Sequence, residues 1–497
     1  MLATTLHTPP VDWFAISPAL VLLGASAISL LAAVLLPARS RRPFAALASA
    51  GAFAGAIVAG ALLYDRTPTA HSVIAAAVSR DRLGALATII VAGAGLFTVG
   101  VSYSMRLRAH VAEYYALLTA AAAGMVFLVT ASNLITLFLG LEWFSISLYV
   151  LCAIDIDLIG SLEAGLKYLI IGAVGSATLL FGSALVYGSS GQLSFDRIAR
   201  SAHVHDSLFV LGLAMVIAGL AFKASAAPFH MWTPDAYTGA PTPVTAFMAS
   251  ATKVAALVVT YRILVTAFPT EEHLWTWAVA GIACASLAIG NVAALVQRNV
   301  KRLLAYSSVS HAGFMLIPVA AANALGGRAL LYYLIPYCAM SLGAFGVIAA
   351  RERELGQQVT LDNLAGFGWE RPFLGVAMWF FLFGFAGLPL GGGFVGKFYV
   401  FAAAYRHGWV WLVIVGVLAT LVSLYYYLGV VRAMYMRPSE ELRVRTEQGV
   451  VVSGGAPARE TLLHLAVGAA LVVSLGSLIA VQPLIDLARH AATSIPF

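Results

Sequence analysis

The chain has 497 residues, 61% of them hydrophobic and only 10% charged, with a formal net charge of +7. Soluble domains carry about 25% charged residues, so this composition, with a mean hydropathy of +0.90, excludes an ordinary water-soluble protein. The positive charge does not point to nucleic acid, because the arginines fall in short loops between apolar runs, as they do in membrane proteins.

A helix needs about 20 apolar residues to cross the hydrocarbon core. By that measure the sequence predicts about fourteen spans, near 16–36, 43–63, 83–104, 112–130, 133–152, 162–187, 207–227, 243–268, 274–297, 301–322, 327–350, 373–403, 408–436 and 460–486. Backbone polar groups cannot stay unpaired in lipid, so the expected fold is an all-α polytopic membrane protein. Met1 to Asp12 lacks a basic n-region and the first apolar run is long, so no cleavable signal is expected. Cys152, Cys284 and Cys338 sit in apolar stretches without a CxxC pair, and neither a disulfide framework nor a metal site is expected.

Loop charges predict the orientation. Arg39, Arg41, Arg42, Arg106, Arg108, Arg298, Lys301, Arg302, Arg351, Arg353, Arg371, Arg432, Arg437, Arg443, Arg445 and Arg459 fall on one side. Arg66, Arg80, Arg82, Arg197, Arg200, Arg262, Arg328, Arg406 and Arg489 fall on the other. The majority side is expected to be cytoplasmic, with both termini outward.

Two predicted spans are interrupted. The seventh reads Lys223-Ala-Ser-Ala-Ala-Pro228-Phe-His230 and continues Pro/Gly-rich to Pro243; the twelfth reads Gly387-Leu-Pro389-Leu-Gly391-Gly392-Gly393-Phe-Val-Gly396-Lys397. Such clusters unwind membrane helices and are tolerated only against protein or a water-filled cavity. Breaks five spans apart predict two five-helix repeats of inverted topology, at 112–268 and 269–436, between an N-terminal part (1–111) and a cytoplasmic loop with the last helix (437–497). Two ordinary proline kinks are the alternative.

The chain has five lysines, Lys167, Lys223, Lys253, Lys301 and Lys397; four fall inside predicted spans and Lys301 begins one. Nearly all arginines lie in loops or at span ends. Arginine keeps its proton in a protein, whereas a desolvated lysine can release it, so a proton relay needs lysine. A charge at the bilayer centre costs about 2.5–3.5 kcal/mol on insertion scales, which marks the four in-span lysines as functional candidates. Glu142, in Leu-Gly-Leu-Glu142-Trp-Phe-Ser, is a mid-span carboxylate. Paired with a lysine it forms a two-state element able to couple a proton step to a conformational step. Spacing does not decide which lysine pairs with it, and a static buried ion pair is the alternative.

His230 at the first break and His311 near Tyr306-Ser-Ser-Val-Ser310 are relay residues or hydrogen-bonded packing; the hydroxyl cluster is helix packing or a water path. No P-loop, haem-like histidine pair or GxGxxG after a strand is present, so no bound cofactor is expected.

Three stretches resemble the antiporter-like subunits of respiratory complex I, the proton-translocating NADH:quinone oxidoreductase. They are Lys223 through Val254, containing Ala-Pro-Phe-His-Met-Trp-Thr-Pro-Asp-Ala-Tyr-Thr-Gly-Ala-Pro-Thr-Pro-Val-Thr and Ala-Thr-Lys253-Val; Asn299 through Gly313; and Gly393-Phe-Val-Gly-Lys397-Phe. The likeness covers roughly 110–430, and lysine at 253 favours the subunit N branch over its sisters. The triple glycine Gly391-Gly392-Gly393 departs from the family pattern and puts the local backbone in question. The chain also ends soon after its fourteenth predicted span, without the long lateral helix of the largest sister.

The resemblance implies that Glu142 and Lys223 form the switch pair, Lys253 the central carrier and Lys397 the gate to one side. It implies that Lys167 and His230 support the polar axis. It further implies a bacterial inner-membrane subunit without a redox centre, beside other membrane subunits of the complex. Flavin, iron–sulfur clusters, NADH and quinone would be bound by partner subunits. The rival expectations are a free-standing Mrp-like cation/proton antiporter and a structural membrane subunit without its own proton path.

Overall fold

The computed structural model describes residues 10–105, 107, 110–201, 206–436 and 460–495. Arg106, Arg108, Arg437, Arg443, Arg445 and Arg459, which enter the charge comparison, and the predicted loop after 436 lie outside the described residues.

The chain begins with α1 (Trp13–Leu35) and α2 (Ala38–Arg66), then a small antiparallel hairpin of β1 (His71–Val73) and β2 (Val78–Arg80). α3 (Arg82–Ser102), α4 (Val111–Val129), α5 (Leu134–Cys152) and α6 (Ile159–Ser190) follow, with a short α7 (Phe195–Arg200). Next come α8 (Ser207–Lys223), α9 (Trp232–Gly239), α10 (Thr242–Phe247), a π turn (Met248–Thr252) and α11 (Lys253–Ala267). The second half has α12 (Glu272–Leu295), α13 (Val300–Ala320), α14 (Ala324–Leu355), α15 (Phe367–Glu370), α16 (Pro372–Ala386), α17 (Gly392–Arg406) and α18 (Val410–Met436). α19 (Thr461–Ile479) and α20 (Val481–Ala492) close it.

Short polar side chains set many helix starts. Asp12, Asp81, Asn133, Asp206, Asn299 and Asn323 each accept backbone N–H bonds from the first turn, satisfying donors that have no partner within the helix. Among the described residues, twelve helical stretches are long and apolar enough to cross a membrane, and α8 and α16 are shorter apolar helices. α10, the π turn and α11 are buried almost throughout, and so are α13 and α14, which form the centre. α1, α2, α6, α18 and α19 expose one apolar face, with Val34, Ile159 and Ile479 at 80%, 82% and 86% exposure. That is the arrangement lipid rather than water would cover.

Close approach of α4 and α5 depends on glycine. A Cβ at Gly140 would lie 2.8 Å from Leu128 Cα, and one at Gly124 2.7 Å from the Phe144 amide nitrogen. Glycine there lets two backbones touch, which adds dispersion contact in a lipid-solvated bundle.

One sequence expectation is corrected, and one feature is added to it. The predicted last span, 460–486, is two helices, because Asp486, Arg489 and His490 make α20 amphipathic while its Ile485, Ala488 and Ala491 face inward. The stretch between the second and third spans holds a β-hairpin, whose turn puts Ile74, Ala75 and Ala76 at positive φ. It docks on the α4–α5 connection: Ser79 N–H donates to Thr130 O (2.7 Å), and Asn133 Nδ2 and Ser132 Oγ donate to Ala76 O (3.0 and 2.8 Å).

Candidate functional site: a buried line of lysines

The first break follows Lys223. Ser225 adopts the left-handed conformation (φ 59°), which ends α8, and the chain does not become helical again until Trp232. The freed backbone groups find partners: Trp232 Nε1 donates to Phe222 O (3.1 Å), and Ala227 N–H donates to Ser286 Oγ (2.8 Å). Unwound backbone is thus held against protein, as a low-dielectric setting demands.

Lys223 is 1% exposed. Its Nζ donates to Ser145 Oγ (2.6 Å) and the Tyr168 hydroxyl (3.3 Å) and lies 4.5 Å from the Phe144 ring centroid, with Tyr149 and Tyr168 alongside. Aromatic faces stabilise a desolvated cation. Glu142 stands one turn before Ser145 on α5, so the ammonium and carboxylate are close enough for their charges to interact. They do not touch: among the described residues Glu142 makes no ion pair within 4.0 Å, and its Oε1 is buried without a hydrogen-bond partner.

Lys253 is fully buried at the end of the π turn, and its Nζ donates to Ala224 O (3.0 Å) in the first break. His311 on α13 lies within electrostatic reach of both Lys253 and Lys397. Its Nδ1 and Nε2 meet the hydroxyls of Tyr333 (2.8 Å) and Tyr427 (3.1 Å). Ser307 bonds the Tyr427 hydroxyl, and Ser308 bonds Tyr337 (3.0 Å). Ser307, Ser308, Tyr337 and Ser341 line a cavity of about 10 Å³, room for about one water.

Lys397 occupies the second break. α16 ends at Gly387, whose φ of 79° is left-handed, and a Cβ there would lie 2.8 Å from Lys397 Cδ. Glycine therefore serves both the turn and the approach of the lysine. Gly391 is extended, and Gly392 and Gly393 already belong to α17, which resolves the backbone question raised by the triple glycine. Lys397 Nζ donates to Ala386 O (3.3 Å) and lies 4.4 Å from the Phe314 ring centroid.

A common pattern emerges. Lys253, Lys397 and Lys301 donate to Ala224 O, Ala386 O and Ala240 O, each at the C-terminal end of α8, α16 or α9. Carbonyls of a last turn lack intrahelical partners and carry the negative end of the helix dipole. The breaks therefore supply neutral acceptors to amines that have no carboxylate at contact distance, except Lys301, which also has Glu352 at 3.6 Å.

The remaining sequence candidates lie elsewhere. Lys167 is on α6, but its side chain is 42% exposed and pairs with Glu163 (2.7 Å) and Asp235 (3.0 Å); Asp235 also holds Arg302 (2.7 Å). His230 is half-buried, edge-on to Tyr306 with centroids 6.4 Å apart, and its Nδ1 has no partner. The structure thus gathers Lys223, Lys253 and Lys397 in the interior with Glu142 at its margin, and sets Lys167 and His230 to its side.

Lys301 was expected as a topology anchor, yet it is 3% exposed and also donates to Thr242 Oγ1 (3.0 Å), which itself bonds Glu352. Arg262, expected near the outer end of its span, is buried because Asp81 receives it: Nη1 and Nη2 donate to the carboxylate at 2.6 and 2.8 Å. Burial opposes ionisation of Asp81, but the guanidinium, the Gly84 N–H and the Ser79 hydroxyl hold its carboxyl below the usual range.

A family model described as NADH:quinone oxidoreductase/Mrp antiporter, TM, matches residues 131–423. The NADH-quinone oxidoreductase subunit N of Trichlorobacter lovleyi is 41% identical over 358 residues, covering 71% of this chain and 74% of that protein. Subunit N 2 of Roseiflexus castenholzii is 38% identical over 453 residues, covering 88% and 91%. A chain of respiratory complex I from Thermus thermophilus, solved with bound aureothin, superposes with a TM-score of 0.79 at 32% identity, over 95% of this chain and 99% of that one. An Mrp complex from a Dietzia species shares the fold, with a TM-score of 0.84 at 21% identity over 97% of each chain. With this likeness and the twelve long apolar helices among its described residues, the chain is an integral multi-pass membrane protein of the NADH-quinone oxidoreductase subunit N family.

Proposed function

We propose that this chain is a membrane-arm subunit of a proton-pumping NADH:quinone oxidoreductase and moves protons through its buried line of amines. One observation carries the reading: Lys223, Lys253, His311 and Lys397 are all buried, with Lys253 Nζ on Ala224 O at the first helix break and Lys397 Nζ on Ala386 O at the second. Glu142 and Lys223 act as the switch, with Ser145 as the group the ammonium leaves when it pairs with the carboxylate. Lys253 is the central carrier, His311 connects it to Lys397, and Lys397 gates one side. Lys167 and His230 support the axis from its edge.

In this reading each interrupted pair, α8–α9 and α16–α17, counts as one crossing, which brings the twelve long apolar stretches to fourteen. The breaks, five crossings apart, mark inverted repeats over 112–268 and 269–436. The chain lies in a bacterial inner membrane with both termini outward and other complex subunits at its sides. Redox energy released on cofactors held by those partners shifts the Glu142–Lys223 equilibrium; this chain holds no redox centre. The naming of relatives at about 40% identity as subunit N favours this reading over a free-standing antiporter.

The test is a Lys253→Met variant in the assembled complex, reconstituted into liposomes with NADH and a quinone. Flavin and iron–sulfur subunits should co-purify with both forms, and the variant should lose most proton uptake. Co-purification alone, with pumping unchanged in the variant, would leave a structural subunit; purification of the chain without redox partners would refute the assignment.

A further inference from the structure

α2 and α19 both pack on α3 and leave a cleft between them, at the end of the bundle where α2 and α19 begin and α3 ends. It is lined by Pro43, Leu47 and Ala50 of α2, Leu96 and Gly100 of α3, and Leu462 of α19, and encloses about 460 Å³. That volume lies within the range of about 300–1,000 Å³ typical of sites for small organic ligands. The lining is almost wholly apolar, and Leu47 on its rim is 74% exposed.

The mouth is basic. Arg39 is exposed, and Arg41 and Arg42 are half-buried in the first turns of α2, whose start has no side-chain cap. Arg42 Nη1 donates to the carbonyl of Tyr103, itself a lining residue (3.2 Å), and Arg41 Nε donates to Leu36 O (2.9 Å). The Arg42 bond holds one guanidinium against the cleft lining, and among the described residues no carboxylate lies within 4.0 Å of the three arginines. Glu460, next to the lining residue Leu462, is paired with Arg353 at 2.6 Å. Three cations with no carboxylate partner among the described residues, and an uncapped helix start, beside an apolar slot fit a ligand with an anionic head and a hydrocarbon tail.

We propose that the α2–α3–α19 cleft binds an anionic phospholipid of the leaflet at that end, one acyl chain in the slot and the phosphate against Arg39, Arg41 and Arg42. The site is distinct from the lysine line, and neither reading depends on the other.

The test uses the assembled complex in nanodiscs containing phosphatidylglycerol with a photoactivatable acyl chain, followed by mass mapping of labelled peptides. Label is expected on residues 43–50 and 96–103. The triple variant Arg39→Gln/Arg41→Gln/Arg42→Gln should reduce it by more than about tenfold, given the attraction of each basic residue to anionic lipid. Gly100→Leu, which fills the slot without changing charge, should also remove it, while both variants still assemble. Equal labelling by a phosphatidylcholine analogue would reduce the cleft to ordinary lipid contact and overturn the proposal. Absence of label, with these peptides cross-linking to a neighbouring subunit instead, would overturn it too.

Discussion

Arg262 and Asp81 join the end of α11 to the start of α3 beneath the β-hairpin, and removing one partner should release that hairpin. The Asp81 carboxylate accepts two bonds from Arg262 (2.6 and 2.8 Å), one from Gly84 N–H (2.7 Å) and one from Ser79, with both side chains essentially inaccessible. Breaking a buried pair from one side costs about 3–5 kcal/mol, because the surviving charge is left uncompensated. In Arg262→Met the Gly84 and Ser79 bonds persist, so the lower end applies, about 3 kcal/mol, or roughly a hundredfold more frequent local opening at about 1.4 kcal/mol per decade. Asp81→Asn should do similar damage by stranding the guanidinium. The double variant should recover to within about 1 kcal/mol of the native protein, since asparagine still caps α3 and no charge remains. Hydrogen exchange of peptides covering 71–84 and 130–136 in the purified complex reads this directly. Because the native Asp81 carboxyl is held below its unfolded value, its stabilisation is complete above the unfolded value of about 3.9 and is lost as pH falls through the native one. Protection corrected for intrinsic rates should therefore be flat between about pH 5 and 8. Exchange in Arg262→Met within threefold of the native rate, or a double variant as open as the singles, would refute the reasoning.

Ser145→Ala removes the closest acceptor of Lys223; a bond to a charged group is worth about 1.5–3 kcal/mol, so proton uptake in liposomes should fall by about tenfold or more with assembly intact. His311→Phe strands the hydroxyl of Tyr333, at about 1–3 kcal/mol, and leaves Tyr427 with Ser307 alone, so it should lower the thermal unfolding midpoint of the purified complex more than His311→Gln does. Gly140→Val drives a side chain into the Leu128 backbone; overpacking costs about 1–3 kcal/mol or more, and the amount of chain incorporated into the complex, read by size-exclusion chromatography of a fluorescent fusion, should drop.

The apolar runs made nearly every long helix legible, because length and hydropathy are local properties. The interrupted helices were legible too, since glycine and proline act on their own backbone. Contacts between distant segments were not. Nothing local to Lys301 distinguishes it from the flanking Arg298 and Arg302; burial comes from α9 and Glu352, 61 and 51 positions away in the chain. Arg262 reads as a span-end anchor until α3 brings Asp81 to it across 181 positions. Lys167 reads as an interior amine because its helix is apolar, but the helix face decides exposure, and it faces outward onto Asp235. The β-hairpin was hidden because its two three-residue strands are too short for alternation to register.

The lysine–carbonyl contacts at the helix breaks bear on how a proton could pass without the structure giving way. A carboxylate partner distinguishes sharply between an ammonium and a neutral amine, so proton loss would dismantle the contact. A peptide oxygen distinguishes less sharply: both forms of the amine have hydrogens to offer it, so the contact at Ala224 or Ala386 has a donor in either form. Loss of a proton at Lys253 or Lys397 would weaken such a contact without leaving its carbonyl bare.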